Sequence, residues 1–464
     1  MVDVKRGDVR RLKPGDGGDI PDISSDGDTT RFIRAQDFHS RYSRLITWEL
    51  EDEMEQVEER LRHWSKQKLV DHGYTLIGVI ARNSGWLFGD RVVKFSAQKG
   101  HILGNHRFSQ GDIVTICRNN PLKDIPVEGI VLTRKRNSLS VVVTENLEKV
   151  RTGSWRVDRG ANRVAHDRMQ DALREILRDD PPTTLSDLLL GRPRDINDSA
   201  KMRPEFRGLK WRDVFTPNEL NDSQQEAFER AMTSRLSLIQ GPPGTGKTHT
   251  AVRILQGWTK QGTGPILATA DSNVAVDNLL EGLLELGVKA VRIGQPVKVR
   301  AQLRSATVRA RVEEHPLQEE VRELLGLQEN LQRRLPTFKG KEKGLAHRDL
   351  KMGWKAIRAL ETAMSDDVLD GAEVICSTCI GVGHQILGQR KFSNILIDEA
   401  TQAIEPATWV PIMRHCRRLV LVGDHRQLPP TVISRRAEQD GLRRSLFERM
   451  IDVGMTPTLL KTQY

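Results

Sequence analysis

Leu236-Ser237-Leu238-Ile239-Gln240-Gly241-Pro242-Pro243-Gly244-Thr245-Gly246-Lys247-Thr248 joins a short apolar run to a G-x-x-x-x-G-K-[ST] loop. A helical stretch, Thr248–Trp258, follows it directly. Glycines in such a loop let successive backbone N–H groups converge on a phosphate, and the helix start adds its partial positive charge. Lys247 can then reach the β- and γ-phosphates of ATP, and the Thr248 hydroxyl can ligate Mg²⁺. A chance glycine-rich turn is the alternative, and the strand before and helix after weigh against it.

Outward from this loop the same rhythm continues. Short apolar runs at Pro265–Thr269, Val288–Ile293, Val374–Ser377, Ile395–Ile397 and Arg418–Val422 alternate with helical periods, which predicts an α/β fold built on a doubly wound parallel sheet. One of these runs ends in Asp398-Glu399. In that context Asp398 suits the metal, and Glu399 suits orienting and deprotonating an attacking water. Another runs into Gly423-Asp424-His425-Arg426-Gln427, where Gln427 can bond the γ-phosphate or the attacking water. Residues 299–370 interrupt the alternation with a helical insertion. Between Lys298 and Arg358 stand 15 Lys and Arg against 8 Asp and Glu, most of the excess in a chain of net charge +10. That concentration favours a polyanionic partner.

The first half reads differently. Ile46, Leu50, Met54, Val57, Leu61 and Trp64 recur at helical spacing, and Ala165, Met169, Ala172, Leu173 and Ile176 repeat the pattern. The two stripes are expected to pack as an antiparallel pair. Between them, β-branched runs at Thr75–Ile80, Arg91–Phe95, Asp112–Ile116, Gly129–Leu132 and Leu139–Thr144 are separated by turn residues, which predicts a small β-barrel carried on helices. The expected organisation is a disordered tail over 1–32, stalk and barrel over 33–180, a proline-rich connector over 181–217 and the α/β domain over 218–464.

Composition narrows the function classes. With 38% hydrophobic and 29% charged residues over 464 positions, the chain reads as globular, of about three domains. No run approaches the ~18 apolar residues of a membrane span, and the first thirty residues lack a signal-peptide core, so a place inside the cell, in cytoplasm or nucleus, is expected without membrane partners. Four cysteines do not make a disulfide scaffold. Cys376-x-x-Cys379 lacks a second ligand pair for zinc and is read as two small residues at a strand end.

The three phosphate-site stretches, in this order, resemble superfamily 1 helicases of the 5′→3′ branch, the group of the up-frameshift helicases, senataxin and the immunoglobulin mu-binding type. Leu220-Asn221-Asp222-Ser223-Gln224 is similar to the family's Q motif, which implies that Gln224 reads the adenine edge. Ala270 to Asp277 resembles motif Ia, implying backbone contacts from Ser272 and Asn273, with Asp271 standing where many relatives have proline or a small residue. Val374 to Cys379 resembles motif Ib/Ic, with Thr378 a phosphate contact. The whole implies a RecA-like first lobe, a stalk-borne 1B barrel and a 1C insertion. Within the branch, Val57–Arg60 and Phe108–Val114 look most like the immunoglobulin mu-binding type.

That resemblance implies ATP and Mg²⁺ as ligands, single-stranded DNA or RNA as partner, and translocation driven by hydrolysis. Gly241, Pro242, Pro243, Gly244, Thr245, Gly246, Lys247 and Thr248 would hold the nucleotide, joined by Gln224 and Tyr464. Leu460-Lys461-Thr462-Gln463-Tyr464 is similar to the start of a family motif, Gln-Tyr-Arg, of which the arginine is not among these residues. Tyr464 would stack near the base and is expected to be mobile. The second RecA-like lobe and its arginine finger are likewise expected to be missing, a loss of about 10³–10⁵ in rate. Weak nucleotide binding and very low turnover are expected of these residues alone. A non-hydrolysing binding module is the alternative. A ring-forming AAA+ ATPase is disfavoured, since no helical lid with an arginine sensor is evident.

Overall fold

A computed structural model describes residues 27–464 except 88–89, 98–102, 104–105, 109–111, 136, 144–152, 162, 179, 192–195, 201–209, 211, 213, 215–218, 263 and 295–298. The expected disorder of residues 1–26 lies outside the described residues, as do Ser109–Gly111 and Arg136. Helix α1 (Gly27–His63) begins inside the stretch expected as tail.

After α1, the short α2 (Lys66–Asp71) leads into β1 (Thr75–Leu87), β2 (Asp90–Ser96), β3 (Ile113–Cys117), β4 (Val127–Lys135), β5 (Ser138–Val143) and β6 (Trp155–Arg159). These strands close into an antiparallel barrel in the order β1-β2-β5-β4-β3-β6. Its interior is apolar, with Phe95, Val114, Ile116, Val131, Val141 and Val157 fully buried. The chain returns through α3 (Arg163–Ile176) and the short helices α4 (Ser186–Leu190) and α5 (Ile196–Ser199).

α3 packs against α1 in antiparallel fashion: Gln170 bonds both Ser43 and Thr47, while Arg174, one turn on, acts on His39, one turn back. The sequence-expected stripe on α1 needs correction beyond Ile46. At about 1.5 Å per residue, α3 covers roughly 20 Å of a helix more than twice as long. The buried face of α1 is Ala35, Tyr42, Leu45 and Ile46, whereas Met54 is 41% exposed. Farther along, Leu50, Val57, Leu61 and Trp64 are only half-buried.

The second half holds α6 (Asp222–Thr233), β7 (Leu236–Gln240), α7 (Lys247–Lys260), β8 (Ile266–Ala270), α8 (Asn273–Glu285) and β9 (Ala290–Arg292). The insertion is helical as expected: α9 (Val308–Glu313), α10 (Gln318–Arg334) and α11 (Gly340–Asp370), around a small core of Val321, Ile357 and Met364. Then come β10 (Val374–Thr378), β11 (Asn394–Asp398), α12 (Glu405–Ile412), β12 (Arg418–Gly423), α13 (Arg435–Gln439), α14 (Leu446–Asp452) and β13 (Thr458–Leu459). Among the described residues the strands form one parallel sheet in the order β13-β7-β12-β11-β8-β10-β9.

Period-two alternation assigns each strand residue to one of two cores. Leu238, Ile395, Ile397, Leu419 and Leu421 face α12 and the bases of α1 and α3. Ile239, Ala268, Leu396, Val420 and Val422 face α6, α7 and α8. Both sides of the sheet are covered, so the strands read as continuous apolar runs. All four cysteines are buried free thiols, and burial pushes the Cys376 thiol up to about 12.

Candidate nucleotide and nucleic-acid site

The parallel order brings the carboxyl ends of β7, β12, β11, β8 and β10 to one edge of the sheet, where ligands of open α/β folds bind. Gln240, at the end of β7, leads into the phosphate-type loop. Gly244 and Gly246 adopt φ of +79° and +76°, a region that costs any residue with a Cβ. Gly246 is the N-cap of α7, so the orphan amides of that helix open onto the loop. Lys247 is buried, with 8% of its surface exposed.

Thr248 Oγ1 donates to Asp398 Oδ2 at 3.0 Å, which joins the loop to the end of β11. Asp398 is wholly buried. Burial and then the neighbouring Glu399 charge push its carboxyl up to about 6, partly countered by the Glu399 amide, Thr248 and Lys247. Glu399 has φ +48°, a left-handed backbone that turns the chain sharply at the strand end. It is held by its own N–H to Asp398 Oδ1 (2.9 Å) and by Gln402 Nε2 to its carboxylate (3.3 Å). A hydroxyl and a buried carboxylate converging beside a phosphate-type loop fit Mg²⁺, which takes few protein ligands and completes its shell with phosphates and water. Among the described residues no group of three or more His, Cys, Asp and Glu forms an all-protein cage.

The third stretch lies alongside. Asp424 accepts from Gln240 Nε2 (3.4 Å), from Gln427 Nε2 (3.2 Å) and from the Arg426 amide (3.1 Å). Gln427 is therefore tethered through Asp424 to the strand that feeds the loop. Thr401 Oγ1 accepts from the Asp424 amide at 3.3 Å and links this corner to the Asp398-Glu399 turn.

Two sequence models match this arrangement: an AAA domain over residues 219–435, and the 1B domain of the helicases SMUBP-2/HCS1 over residues 40–159, which covers the described barrel. The chain has superfamily 1B helicases as homologues. It is 29% identical over 435 residues to the DNA-binding protein SMUBP-2 of Mus musculus, covering 90% of this chain and 42% of that one. The ATP-dependent helicase NAM7 of Saccharomyces cerevisiae is 37% identical over 311 residues, covering 65% and 29% of the two chains. A regulator of nonsense transcripts 1 homolog of Neurospora crassa is 40% identical over 252 residues, covering 53% and 21%. The chain thus spans less than half the length of each of these relatives.

Gln224, expected at the adenine edge, stands near the start of α6. Gln224 is 1% exposed, and its side chain closes a capping box with Asn221. Its Nε2 also donates to the Thr245 carbonyl at 3.3 Å, bracing the loop from behind. Tyr464 is not loose: its amide donates to the Gly244 carbonyl (2.9 Å) and its hydroxyl accepts from Asn221 Nδ2 (3.0 Å). Its ring stays open, the residue being 78% exposed.

The motif Ia and Ib residues lie at the same edge, with their polar atoms already engaged. Ser272 caps α8 by accepting from the Ala275 amide, and Thr378 Oγ1 accepts from the Gly381 amide. Asn273 Oδ1 accepts from Arg292 Nη2 at 2.8 Å, and Arg292 pairs with buried Asp277. That Asn273–Arg292–Asp277 group escaped the sequence reading, because nothing local marks an arginine inside an apolar strand as buried.

The Asp398 shift has a stability consequence. A carboxyl held at about 6 when folded, against 3.8 ordinarily, binds its proton more tightly in the folded state. The nucleotide-free protein therefore loses stability as pH rises across that window, about 2–3 kcal/mol once Asp398 is ionised. Asp398→Asn is expected to flatten this slope and to raise the urea midpoint near neutral pH. An unchanged slope in the variant would remove Asp398 as its source.

Proposed function

We propose that the chain supplies the ATP-binding lobe and part of the strand track of a 5′→3′ helicase. The reading rests on one observation above the rest: the Thr248–Asp398 contact, with Glu399 next to it and the Asp424–Gln427 pair adjoining. Backbone amides of Gly244–Lys247 and the Lys247 ammonium bind the phosphates. Gln224 and Tyr464 flank the adenine, Tyr464 by stacking. Thr248 and Asp398 hold Mg²⁺, which supplies neutralisation of phosphate charge when bound. A Glu399 carboxylate oxygen takes the proton of the attacking water, and Gln427 bonds the water or the γ-phosphate. Ser272, Asn273, Thr378 and the basic insertion meet phosphates of single-stranded DNA or RNA, so affinity should fall steeply with salt. In cytoplasm or nucleus, opening and closing against a second lobe would move the strand.

The test is ATP hydrolysis by the 464-residue chain with and without single-stranded DNA or RNA, beside direct binding of a fluorescent ATP analogue. Binding with little turnover is expected of this lobe on its own, an arginine finger from a second lobe being worth about 10³–10⁵ in rate. Lys247→Ala should lose analogue binding by at least tenfold, as a buried ammonium aimed at phosphate is a strong charge-assisted contact. Equal binding by that variant would end the phosphate-site reading. Strand binding that persists in it without any nucleotide binding by the parent would favour the non-hydrolysing module.

A further inference from the structure

Away from the nucleotide edge, α3, the end of α12 and the segment after Thr378 enclose a cleft of about 430 Å³. Its lining includes four arginines. Arg390 is neutralised by Asp366 and Asp370, and Arg178 by Glu175, which itself lines the cleft with Asp171, the partner of Arg174. Arg168 and Arg414 differ. Among the described residues neither meets a carboxylate; their bonds go to backbone carbonyls, Arg168 to Ile380 (2.9 Å), Arg414 to Gly388 (2.7 Å) and Val382 (3.0 Å).

Both guanidiniums are half-buried, and each carries its full charge with only carbonyl dipoles as compensation. Burial, and for Arg168 the like charge of Arg414, hold their pKa values below the ordinary arginine range. The placement of Arg168 is built in: a Cβ on Gly383 would meet its stem at 2.6 Å, so only glycine lets the side chain cross there. Two like charges held near each other at half-buried positions, neither paired with an acid among the described residues, are a cost that an anion would relieve.

The location narrows the anion. Ile380, the acceptor for Arg168, stands two residues after Thr378, and the same tight turn is fastened to the Thr378 hydroxyl through Gly381. We propose that this cleft is a phosphodiester site, taking a backbone phosphate of the single strand just beyond Thr378 and extending the track from the sheet edge to the base of the stalk. Arginine forks suit such an oxygen pair better than lysine would. This rests on the reading that the lobe binds single strands, and it adds the stalk base to the surface that does so.

Gln389 lines the cleft, is exposed, and offers a variant that removes none of the bonds holding Arg168 or Arg414. Anisotropy of labelled oligothymidylate of about 6 and about 15 nucleotides would be followed on the 464-residue chain between about 50 and 200 mM salt. Gln389→Glu is expected to weaken the longer strand about two- to fivefold and Gln389→Lys to tighten it similarly, with the shorter strand affected less. Arg414→Gln, checked for folding by its unfolding midpoint, should lower the magnitude of the salt slope by about one. If strands bind and all three variants match the parent at both lengths, the cleft is not on the track, and the strand-binding reading stands. If the parent binds neither strand, that reading fails first. A melting shift with inorganic phosphate, abolished in Gln389→Glu but without any strand effect, would overturn the strand assignment in favour of a free anion.

Discussion

Replacing Arg449 by alanine is expected to lower the unfolding free energy by about 3–5 kcal/mol, the cost of stranding a buried carboxylate. Glu405 is the carboxylate in question, with none of its surface exposed. Arg449 grips it through Nε at 2.9 Å and Nη2 at 2.6 Å, and spends Nη1 on the Leu189 carbonyl. Tyr42 donates its hydroxyl to the same carboxylate at 2.7 Å and Trp409 its ring N–H at 3.3 Å. Four parts of the chain meet there: the base of α1, the start of α12, α14 and the end of α4. Burial and Glu405 push the Tyr42 hydroxyl well above the ordinary tyrosine range, so it remains a donor at any working pH. Tyr42→Phe removes one donor of several and should cost about 1.5–3 kcal/mol, less than Arg449→Ala. The check is urea unfolding, reading midpoints at unchanged slope. A neutral Arg449→Ala, or the reverse ranking, would mean that the carboxylate finds water or another partner and that this knot does not fasten the stalk to the lobe.

The edge proposed to bind phosphate was legible in the sequence because its pattern is local. Gly241–Thr248 and Asp398-Glu399 each declare themselves within a few residues, and period-two burial of both sheet faces left apolar runs whose boundaries the structure moves by only one or two positions. What escaped was polar or distant. β6 was missed because Trp155-Arg156-Val157-Asp158-Arg159 reads as charged surface, yet Arg156 and Asp158 form a buried pair at 2.7 Å on the strand face opposite the Trp155 and Val157 core side chains, and Thr75 donates to Asp158. β13 is only two residues long. The distal stripe of α1 was over-read, because apolar spacing defines a face but not the length of the partner that covers it.

Links across the fold were illegible for the same reason. Glu49 on α1 accepts the amides of Ile433 and Ser434 at 2.7 and 2.9 Å, and Arg436 bridges Glu51 and Asp52. The segment that begins at Gln427 thus ends fastened to the helix that carries the barrel. No local pattern in Trp48-Glu49-Leu50 announces a partner almost 400 positions away.

Glu399→Gln is expected to cut strand-stimulated ATP hydrolysis by about 10²–10⁴, the usual worth of a positioned general base, while nucleotide affinity stays within about twofold. The two effects separate because Glu399 is not among the residues proposed to hold the phosphates. The loop amides, Lys247 and the Thr248–Asp398 pair remain as they are, and the glutamine keeps an oxygen to accept from Gln402. The left-handed backbone at φ +48° is unaffected by an isosteric side chain, so the fastening of the turn by Asp398 and Gln402 should survive. A single-turnover measurement with protein in excess, on the 464-residue chain and on any longer product, reads the chemical step even where overall turnover is low. Loss of hydrolysis with binding intact assigns the proton transfer to Glu399. Loss of both would make Glu399 a support for the Asp398 turn rather than a base. Undiminished hydrolysis would move the base elsewhere along this edge, with Gln427 left to orient the water alone.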